Sequence, residues 1–337
     1  MATHHLPTLA RQVASFVVPE VPMYEADPLL RRLAMRLPDG WHGSPVTLEI
    51  GGEFPRVRKQ ADDHRIDNAG EITPIQIFTE KWISDVEVAT DELERPDKIE
   101  IVRDRSANMA ESIRAHRTGL LYDVLDRNPK AIGGKKFFDA GHRVIGAPVT
   151  KKFANFSEGG FANPEKPTLQ ELKAEIYQAR SRLLTQGAVR QASVNASFLD
   201  KRLMILCNHI EYFTQLSLLQ AEEEIEGSKN SLRGKFDVEM NLHRAPKGDA
   251  SDFRIWVLYA DDQAVTVRAR TNGQQRVARV LRLKPLTWVE TQTGMRFEQD
   301  LNAVYHEDVF RVGVKNTYIA APGFPQAAYE IRPGAST

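Results

Sequence analysis

The chain has 337 residues, with 45 Lys and Arg balanced by 45 Asp and Glu, so its formal net charge is zero. That balance argues against a protein whose affinity rests on one large basic surface, while leaving room for a local basic patch. Zero net charge also gives weak colloidal repulsion, so any large apolar surface would need a partner to cover it. A chain of this length can bury a substantial core or two smaller ones, and 42% hydrophobic with 27% charged residues fits a globular protein. Cys207 is the sole cysteine, which excludes an internal disulfide and favours a reducing compartment. Residues 1–18 hold no apolar stretch long enough for a secretory signal. No window approaches the ~20 apolar residues that a membrane helix needs, so no membrane partner is expected.

Residues 1–37 read as an extended arm. Pro19, Pro22 and Pro28 argue against helix before Leu29, Leu30, Leu33 and Leu37, whose spacing predicts one short amphipathic helix. Residues 44–88 read as β. Val46, Leu48 and Ile50 alternate with polar residues, Gly51 and Gly52 supply a turn, and Ile75, Ile77, Thr79, Lys81 and Ile83 form a second alternating run. The charged stretch from Lys59 to Arg65 lies between them, so the pair reads as a long hairpin with a polar tip. A lone two-stranded hairpin is marginal in water and needs something to pack against.

The span 97–127 is the clearest helix. Ile99, Val102, Ser106, Met109, Ile113, His116, Leu120 and Val124 recur at helical spacing, while Arg103, Glu100, Arg114, Glu111 and Arg117 are expected on other faces. At ~1.5 Å per residue such a helix runs roughly 45 Å, the width of a small domain, so it should act as a spine. It stops at Asn128-Pro129. A second helix over 168–186 opens with a Thr168–Glu171 capping box and ends at Gly187. Leu203 to Cys207 reads as a short buried strand. Asn208 with Glu211 predicts a cap for a helix reaching Glu226. From Asp237 the chain is mainly β, with Ile255 to Tyr259 apolar throughout and therefore central. Alternation is expected at Val238 to Leu242 and at Val265 to Arg268. Further strands are expected near 277–283 and 309–314. The Ala-, Pro- and Gly-rich stretch 320–337 reads as a tail.

The residues that could carry chemistry each have a simpler account. Cys207 ends an apolar run, so its nearness to His209 in sequence does not make a nucleophile and base. Asp62, Asp63 and His64 are metal-ligand types, but consecutive residues of an extended segment point to opposite sides. Gly133-Gly134-Lys135-Lys136 lacks the P-loop spacing and reads as a turn, with Lys151 and Lys152 adding local positive charge. His142 reads as a hydrogen-bonding residue of the fold, and Glu222, Glu223 and Glu224 as a solvated helix face. No catalytic, cofactor-binding or metal residue is assigned, and the chain is not expected to be an enzyme.

The order of elements, arm, hairpin, spine helix, glycine turn, second helix, buried strand with helix, and β-rich end, resembles the α+β Hong Kong 97-like fold of tailed-phage major capsid proteins. It is most similar to the Mu-type major head subunit family. Phe137-Phe138-Asp139-Ala140-Gly141-His142 stands where that family tends to carry an FFS-x-x-H type sequence. The Trp82 strand entering Asp91, Glu92 and Glu94, and the run from Glu307 to Val314, are also similar. Asp139 replaces a small hydroxyl residue, and the usual proline after His142 is missing. The likeness covers about residues 45–330.

The resemblance implies an N-terminal arm (1–43), an extended E-loop (44–84), a peripheral domain with the spine helix (85–167), an axial domain (168–266), and a return to the peripheral domain with a C-terminal tail (267–337). It implies a major capsid protein that assembles as pentamers and hexamers into an icosahedral shell around double-stranded DNA. The expected partners are copies of itself, a separate scaffold protein, a portal and a decoration protein, with non-specific contact with packaged DNA. Assembly would take place in the host cytoplasm, with no cofactor. Some relatives join subunits through a lysine–asparagine bond; Lys59 and Lys81 lie in the hairpin region, but no crosslink is expected from them. Two other readings are an encapsulin-like compartment shell and a soluble two-domain enzyme with a converging pocket.

Overall fold

The computed structural model describes residues 6–20, 27–37, 45–49, 75–93, 95, 97–131, 134–143, 152–185, 202–225, 227–243, 250–259, 265–271, 274–280, 284–290, 296–300 and 307–333. In chain order the first elements are helix α1 (Leu6–Glu20), helix α2 (Pro28–Leu33) and strands β1 (Ala34–Leu37), β2 (Pro45–Glu49), β3 (Ile75–Gln76) and β4 (Glu80–Ala89). A helical turn α3 (Thr90–Leu93) leads to the long α4 (Lys98–Arg127), then to β5 (His142–Arg143), β6 (Lys152–Phe153) and β7 (Phe156–Gly159). Next come α5 (Leu169–Thr185), β8 (Leu203–Cys207), α6 (Ile210–Ala221), β9 (Glu224–Ile225), β10 (Ser228–Lys229), β11 (Phe236–Met240) and β12 (Ile255–Leu258). The chain closes with β13 (Val265–Thr271), β14 (Gln274–Val280), β15 (Leu286–Glu290), β16 (Arg296–Asp300), β17 (Val309–Pro322) and β18 (Ala328–Pro333).

Two five-stranded sheets dominate. In the first, β17 carries β4 along one edge and β15 and β16 end to end along the other, and β1 adds parallel to β15. In the second the order is β11-β8-β12-β18-β7. A separate four-stranded sheet, β14-β13-β2-β3, includes the antiparallel pairing Val46↔Ile75. The feet of the expected hairpin are therefore paired. Its tip, with Lys59, Asp62, Asp63 and His64, lies outside the described residues. The second alternating run is divided: Ile75 stays with the hairpin, whereas Lys81 and Ile83 belong to β4 and pair with β17.

α4 is the mechanical centre. Its N-terminal half buries Val102, Met109 and Ile113 against Val86, Val88, Phe310, Val312 and Val314 of the first sheet. Its C-terminal half buries Leu121 and Leu125 against Met204, Leu206, Trp256 and Leu258 of the second. The opposite face of that sheet, Leu203, Ile205, Cys207, Ile255 and Val257, packs on Leu172 and Ile176 of α5 and Leu216 of α6. β8 is thus covered on both sides, which is why its sequence is apolar at every position rather than alternating. Asn128, in the left-handed conformation at φ 47°, ends the spine, and its side chain clamps Phe138 by accepting from the backbone N–H at 2.7 Å and donating to the carbonyl at 3.1 Å.

Several expectations are corrected. Residues 6–20 are helix, not extended arm: Val13 and Val17, one turn apart, are fully buried beside Val102 and Met109 of α4. Pro7 sits in the first turn, where the missing N–H costs least, whereas Pro19 lies inside the last turn and gives up one intrahelical hydrogen bond close to the helix end. The short helix stops at Leu33, and Leu37 belongs to β1. Asn208 does not cap α6; its side chain donates to the Asp252 carbonyl and accepts from the Arg254 N–H, both at 2.8 Å. α6 ends at Ala221, and a hairpin turning at Gly227 (φ 74°) follows, so Glu222 to Glu224 are not a helix face. The stretch from 320 to 331 is no tail. Almost every residue in it is buried, and β18 is an inner strand. Gly323 permits this, since a Cβ there would stand 2.7 Å from the Lys284 carbonyl oxygen. The strands β15, β16 and β18 were not expected at all.

Arg117 is the sharpest correction. It is 2% exposed and reaches Glu290 of β15 at 2.6 Å. Glu290 also accepts from Trp288 Nε1 at 3.2 Å and Asn316 Nδ2 at 3.4 Å. The guanidinium lies 5.2 Å from the ring centre of Tyr318, which stacks on Trp288 and meets His116 Nδ1 through its hydroxyl at 2.9 Å. Trp82 Nε1 donates to the Tyr318 carbonyl at 3.0 Å. One ionic and aromatic junction thus ties α4 to β4, β15 and β17.

Arg117→Met should destabilise the unassembled subunit by about 3–5 kcal/mol, because the Glu290 carboxylate loses its buried partner. Replacing Glu290 by Met as well should recover most of that loss, read as the urea midpoint of the two variants. A second check is Asn155→Ala. Asn155 is fully buried, donates to the carbonyls of Phe137 (2.8 Å) and Pro325 (3.2 Å), and accepts from the Asp139 N–H (2.9 Å). Its loss orphans these groups and should cost about 2–3 kcal/mol in the same unfolding experiment.

Candidate functional site

Among the described residues the structure does not bring the sequence's chemical candidates together into a reacting centre. Cys207 is fully buried in β8, and burial pushes its thiol up to about 12, so the nucleophilic thiolate is suppressed. Its Sγ faces the Glu239 carbonyl at 3.9 Å. The His209 ring stacks on Phe253 at 4.1 Å between centroids, and burial lowers its pKa from the usual imidazole value. Gly134, at φ 76°, donates its N–H to the Ala131 carbonyl at 3.0 Å and the Lys135 carbonyl accepts from the Ala131 N–H at 2.7 Å, which closes a tight turn, while the Lys135, Lys136 and Lys152 side chains are exposed. Gly133 and Lys151 lie outside the described residues. His142 is buried against Phe153 and meets the Phe137 carbonyl through Nε2 at 3.0 Å, and burial lowers its pKa as well. It belongs to the same structural hub as Asn155. Glu223 pairs with Arg233 at the surface. Among the described residues no three His, Cys, Asp or Glu side chains are grouped so as to hold a metal ion, and no helix is long and apolar enough to cross a membrane.

What the fold does present is contact surface. An open groove of about 970 Å³ runs beside the C-terminal half of α4, walled by Phe78, Trp82, His116, Leu120, His243 and Ile319. His243 lies close over Gly119, where an added Cβ would come 3.3 Å from its ring. His116 is committed to Tyr318, and burial holds its pKa below the ordinary value, so at neutral pH it is an uncharged wall of the groove. Large apolar side chains stand in solvent around the subunit: Phe78 at 56% exposure, Ile83 at 58%, Tyr177 at 57%, Ile210 at 58% and Leu242 at 78%. β4 exposes Lys81, Ile83, Asp85 and Glu87 in strict alternation and pairs only with β17 among the described strands. A ten-residue edge strand with apolar and charged residues of both signs on its outer face is suited to a protein partner.

Helical periodicity carries a signal for Arg117 that residue type hides. Ala110, Ile113, Arg117, Leu121 and Leu125 follow one another at three- and four-residue steps, so periodicity alone sets Arg117 in the buried stripe. Glu290 had no comparable local signal, because its partner lies 173 residues away.

No curated protein matches the sequence. The chain is similar in shape to the procapsid subunit of bacteriophage JBD30, at 15% identity and a TM-score of 0.48, covering 100% of this chain and 78% of that one. It is similar to the virus-like particle from Pyrococcus furiosus, at 11% identity and 0.46, covering 95% and 98%. It is also similar to the holo-SrpI encapsulin complex from Synechococcus elongatus PCC 7942, at 11% identity and 0.48, covering 94% and 92%. The family model for the Mu-like prophage major head subunit gpT matches residues 23–208, more than half of the chain. By that match, which takes in the hairpin feet, the spine and the second helix, the chain belongs to the Mu-like prophage major head subunit gpT family.

Proposed function

We propose that this head subunit is the repeating tile of an icosahedral shell of Hong Kong 97-like fold, gathered into pentamers and hexamers around double-stranded DNA. Family membership over residues 23–208 is the observation that carries the reading. It also favours a phage head over an encapsulin-like compartment, since the matching family is one of prophage head subunits. A soluble two-domain enzyme would need a converging set of titratable groups. The groove beside α4 instead has a His116 already bound to Tyr318. In this reading the protein is not an enzyme and uses no cofactor.

The physical support is a stiff centre with contact surfaces around it. α4 is clamped between two sheets, so it holds its shape when the same chain takes slightly different places in a closed shell. The segment that starts and ends at the Val46↔Ile75 pair has its feet fixed and is assigned as the E-loop. The peripheral domain comprises α1, α4 and the β17 sheet. The axial domain is built on α5, α6, β8, β11 and β12, and β7 and β18 join its sheet from outside residues 168–266. Head-to-tail contacts between such tiles close into rings, and obligate contacts of this kind bury ~2,000 Å² or more. A separate scaffold, a portal and a decoration protein complete the set of partners. Contact with packaged DNA is weak, sequence-independent and salt-sensitive in this account. Assembly belongs to the host cytoplasm and the finished shell to the virion.

Electron microscopy of the expressed chain, alone and with its candidate scaffold, tests the proposal. Rings or closed shells are expected, and a 38 kDa monomer under every condition would overturn it. Deleting residues 56–72 should leave circular dichroism and urea unfolding of the subunit close to wild type while abolishing stable shells. Normal particles from that deletion would show that the segment is not an intersubunit loop.

A further inference from the structure

The neutral charge total hides one strongly basic stretch. From Arg127 to Ser157 seven residues are Lys or Arg and one, Asp139, is a carboxylate. The stretch begins where the spine ends. Lys130 and Lys136 stand opposite each other across an antiparallel bridge, with Lys135 in the turn between them. Lys152 follows on β6, paired with β5. All four lysines are exposed, and among the described residues none of them makes an ion pair.

These lysines are held from beneath by one buried hub. Phe137 and Phe138 are buried, and the Phe137 N–H donates to the Pro129 carbonyl at 2.8 Å. The Phe137 carbonyl accepts from Asn155 Nδ2 at 2.8 Å and meets His142 Nε2 at 3.0 Å. His142 stacks on Phe153, the residue after Lys152. The hub thus ties the Lys130–Lys136 turn to β6. The carboxylates nearby are already engaged. Asp123 pairs with Arg127 at 2.7 Å, and Asp139 Oδ1 accepts from the Gly141 N–H at 2.7 Å. Lys130 and Lys136 are like charges directly opposed, an arrangement that destabilises a β pair. The negative end of the α4 dipole accounts for one cation in the last helical turn, and Arg127 already fills that place. The four lysines beyond it have no such account within the subunit.

We propose that the lysine cluster around the Phe137 hub, Lys130, Lys135, Lys136 and Lys152, is where the subunit holds the phosphodiester backbone of double-stranded DNA. The proposal rests on the shell-subunit reading and gives its packaged-DNA contact a place, with the C-terminal end of α4 turned toward the interior. Two observations choose a nucleic-acid backbone over an acidic protein. Among the described residues from 127 to 157 no large apolar side chain is exposed, so the cluster lacks the apolar centre of a protein interface. Its cations are lysines, which protein interfaces disfavour and which meet phosphate as point charges on flexible stems. Contacts of that kind carry no sequence information, which suits a wall that lines whatever stretch of DNA lies against it. A phosphate also relieves the opposition of Lys130 and Lys136, which gives the pair a function that the isolated subunit does not.

Fluorescence anisotropy of a short labelled DNA duplex, titrated with the full chain over a range of salt, tests it. Lys130→Gln, Lys135→Gln, Lys136→Gln and Lys152→Gln together should weaken binding about tenfold or more at ~50 mM salt. The slope of log affinity against log salt should become shallower by about 3, since each phosphate contact contributes ~0.9. A charge-matched control with Lys98→Gln, Lys166→Gln, Lys229→Gln and Lys235→Gln, exposed lysines elsewhere on the subunit, should keep the wild-type slope. Folding is checked by circular dichroism and urea unfolding, in which Lys136→Gln alone should raise the midpoint by removing the opposed charge. An unchanged slope in the cluster variant, an equal loss in the control, or no duplex binding by the wild-type chain at that salt would each overturn the proposal. Wild-type duplex binding by a cluster variant that no longer forms shells would overturn it too, and assign the lysines to an acidic protein partner. Electron microscopy of the same chains judges the shell reading separately, because a wild-type chain without shells counts against that reading whatever the anisotropy shows. Should the fourfold variant fail to fold, Lys135→Gln with Lys152→Gln decides: its slope should drop by about 2, and the wild-type slope refutes the contact.

Discussion

The whole arrangement depends on α4 being a wall of two sheets at once. Its first half closes the β17 sheet, with α1 laid over it; its second half closes one face of the β8 sheet. A thirty-residue helix with only one apolar stripe could rotate or bend. Here the one stripe meets one sheet along its first half and the other along its second, so a rotation would uncover both contacts at once. The Arg117–Glu290 pair sits near the change-over and fixes it laterally. A buried ion pair is a weak source of stability and a strong source of register, because every displaced arrangement leaves a charge without its partner. The aromatic residues around it, Trp82, Trp288 and Tyr318, exclude water and keep the pair directional.

That rigidity has a functional counterpart. A tile in a closed shell must keep one shape at its centre while its rim adapts to non-identical neighbours. The described residues show this division. The core clusters contain the spine and the inner strands, whereas large apolar side chains such as Phe78, Ile83 and Leu242 remain in solvent at the margins. In a subunit that worked alone such residues would be a liability. In one that works only among copies of itself they are unfinished contacts.

Much of this was readable from local pattern. The spine, its stop at Asn128 and the Thr168–Glu171 capping box come from short-range spacing and chemistry, and all appear as expected. The Glu171 carboxylate accepts from Thr168 N–H at 2.8 Å, and the Glu171 N–H donates to Thr168 Oγ1 at 3.2 Å. The continuous apolar runs at β8 and β12 correctly announced inner strands. What local pattern could not show was long-range choice. α1 has two prolines, and only its seat on α4 makes the helix worthwhile. β18 is read as tail because Ala, Pro and Gly dominate nearby, yet those small residues are what let Gly323 approach the Lys284 carbonyl and return the chain into the sheet. Asn208 looked like a cap and Asn155 drew no attention in the sequence; the fold uses both to tie distant segments through paired side-chain hydrogen bonds. The contact surface was not legible, because such a surface has no motif until the strands around it are placed.

Hydrogen exchange read on free subunits and on assembled shells tests the central claim most directly. Amides of α4 from Ala110 to Leu125 and of β8 should be the slowest in both states, opening only with global unfolding. The outer-edge amides of β4 around Ile83 should exchange quickly in the free subunit and slow markedly on assembly. Equal exchange of the α4 amides and the β4 edge in the free subunit, or no slowing of that edge in the shell, would contradict a rigid spine whose margins are completed by neighbouring copies.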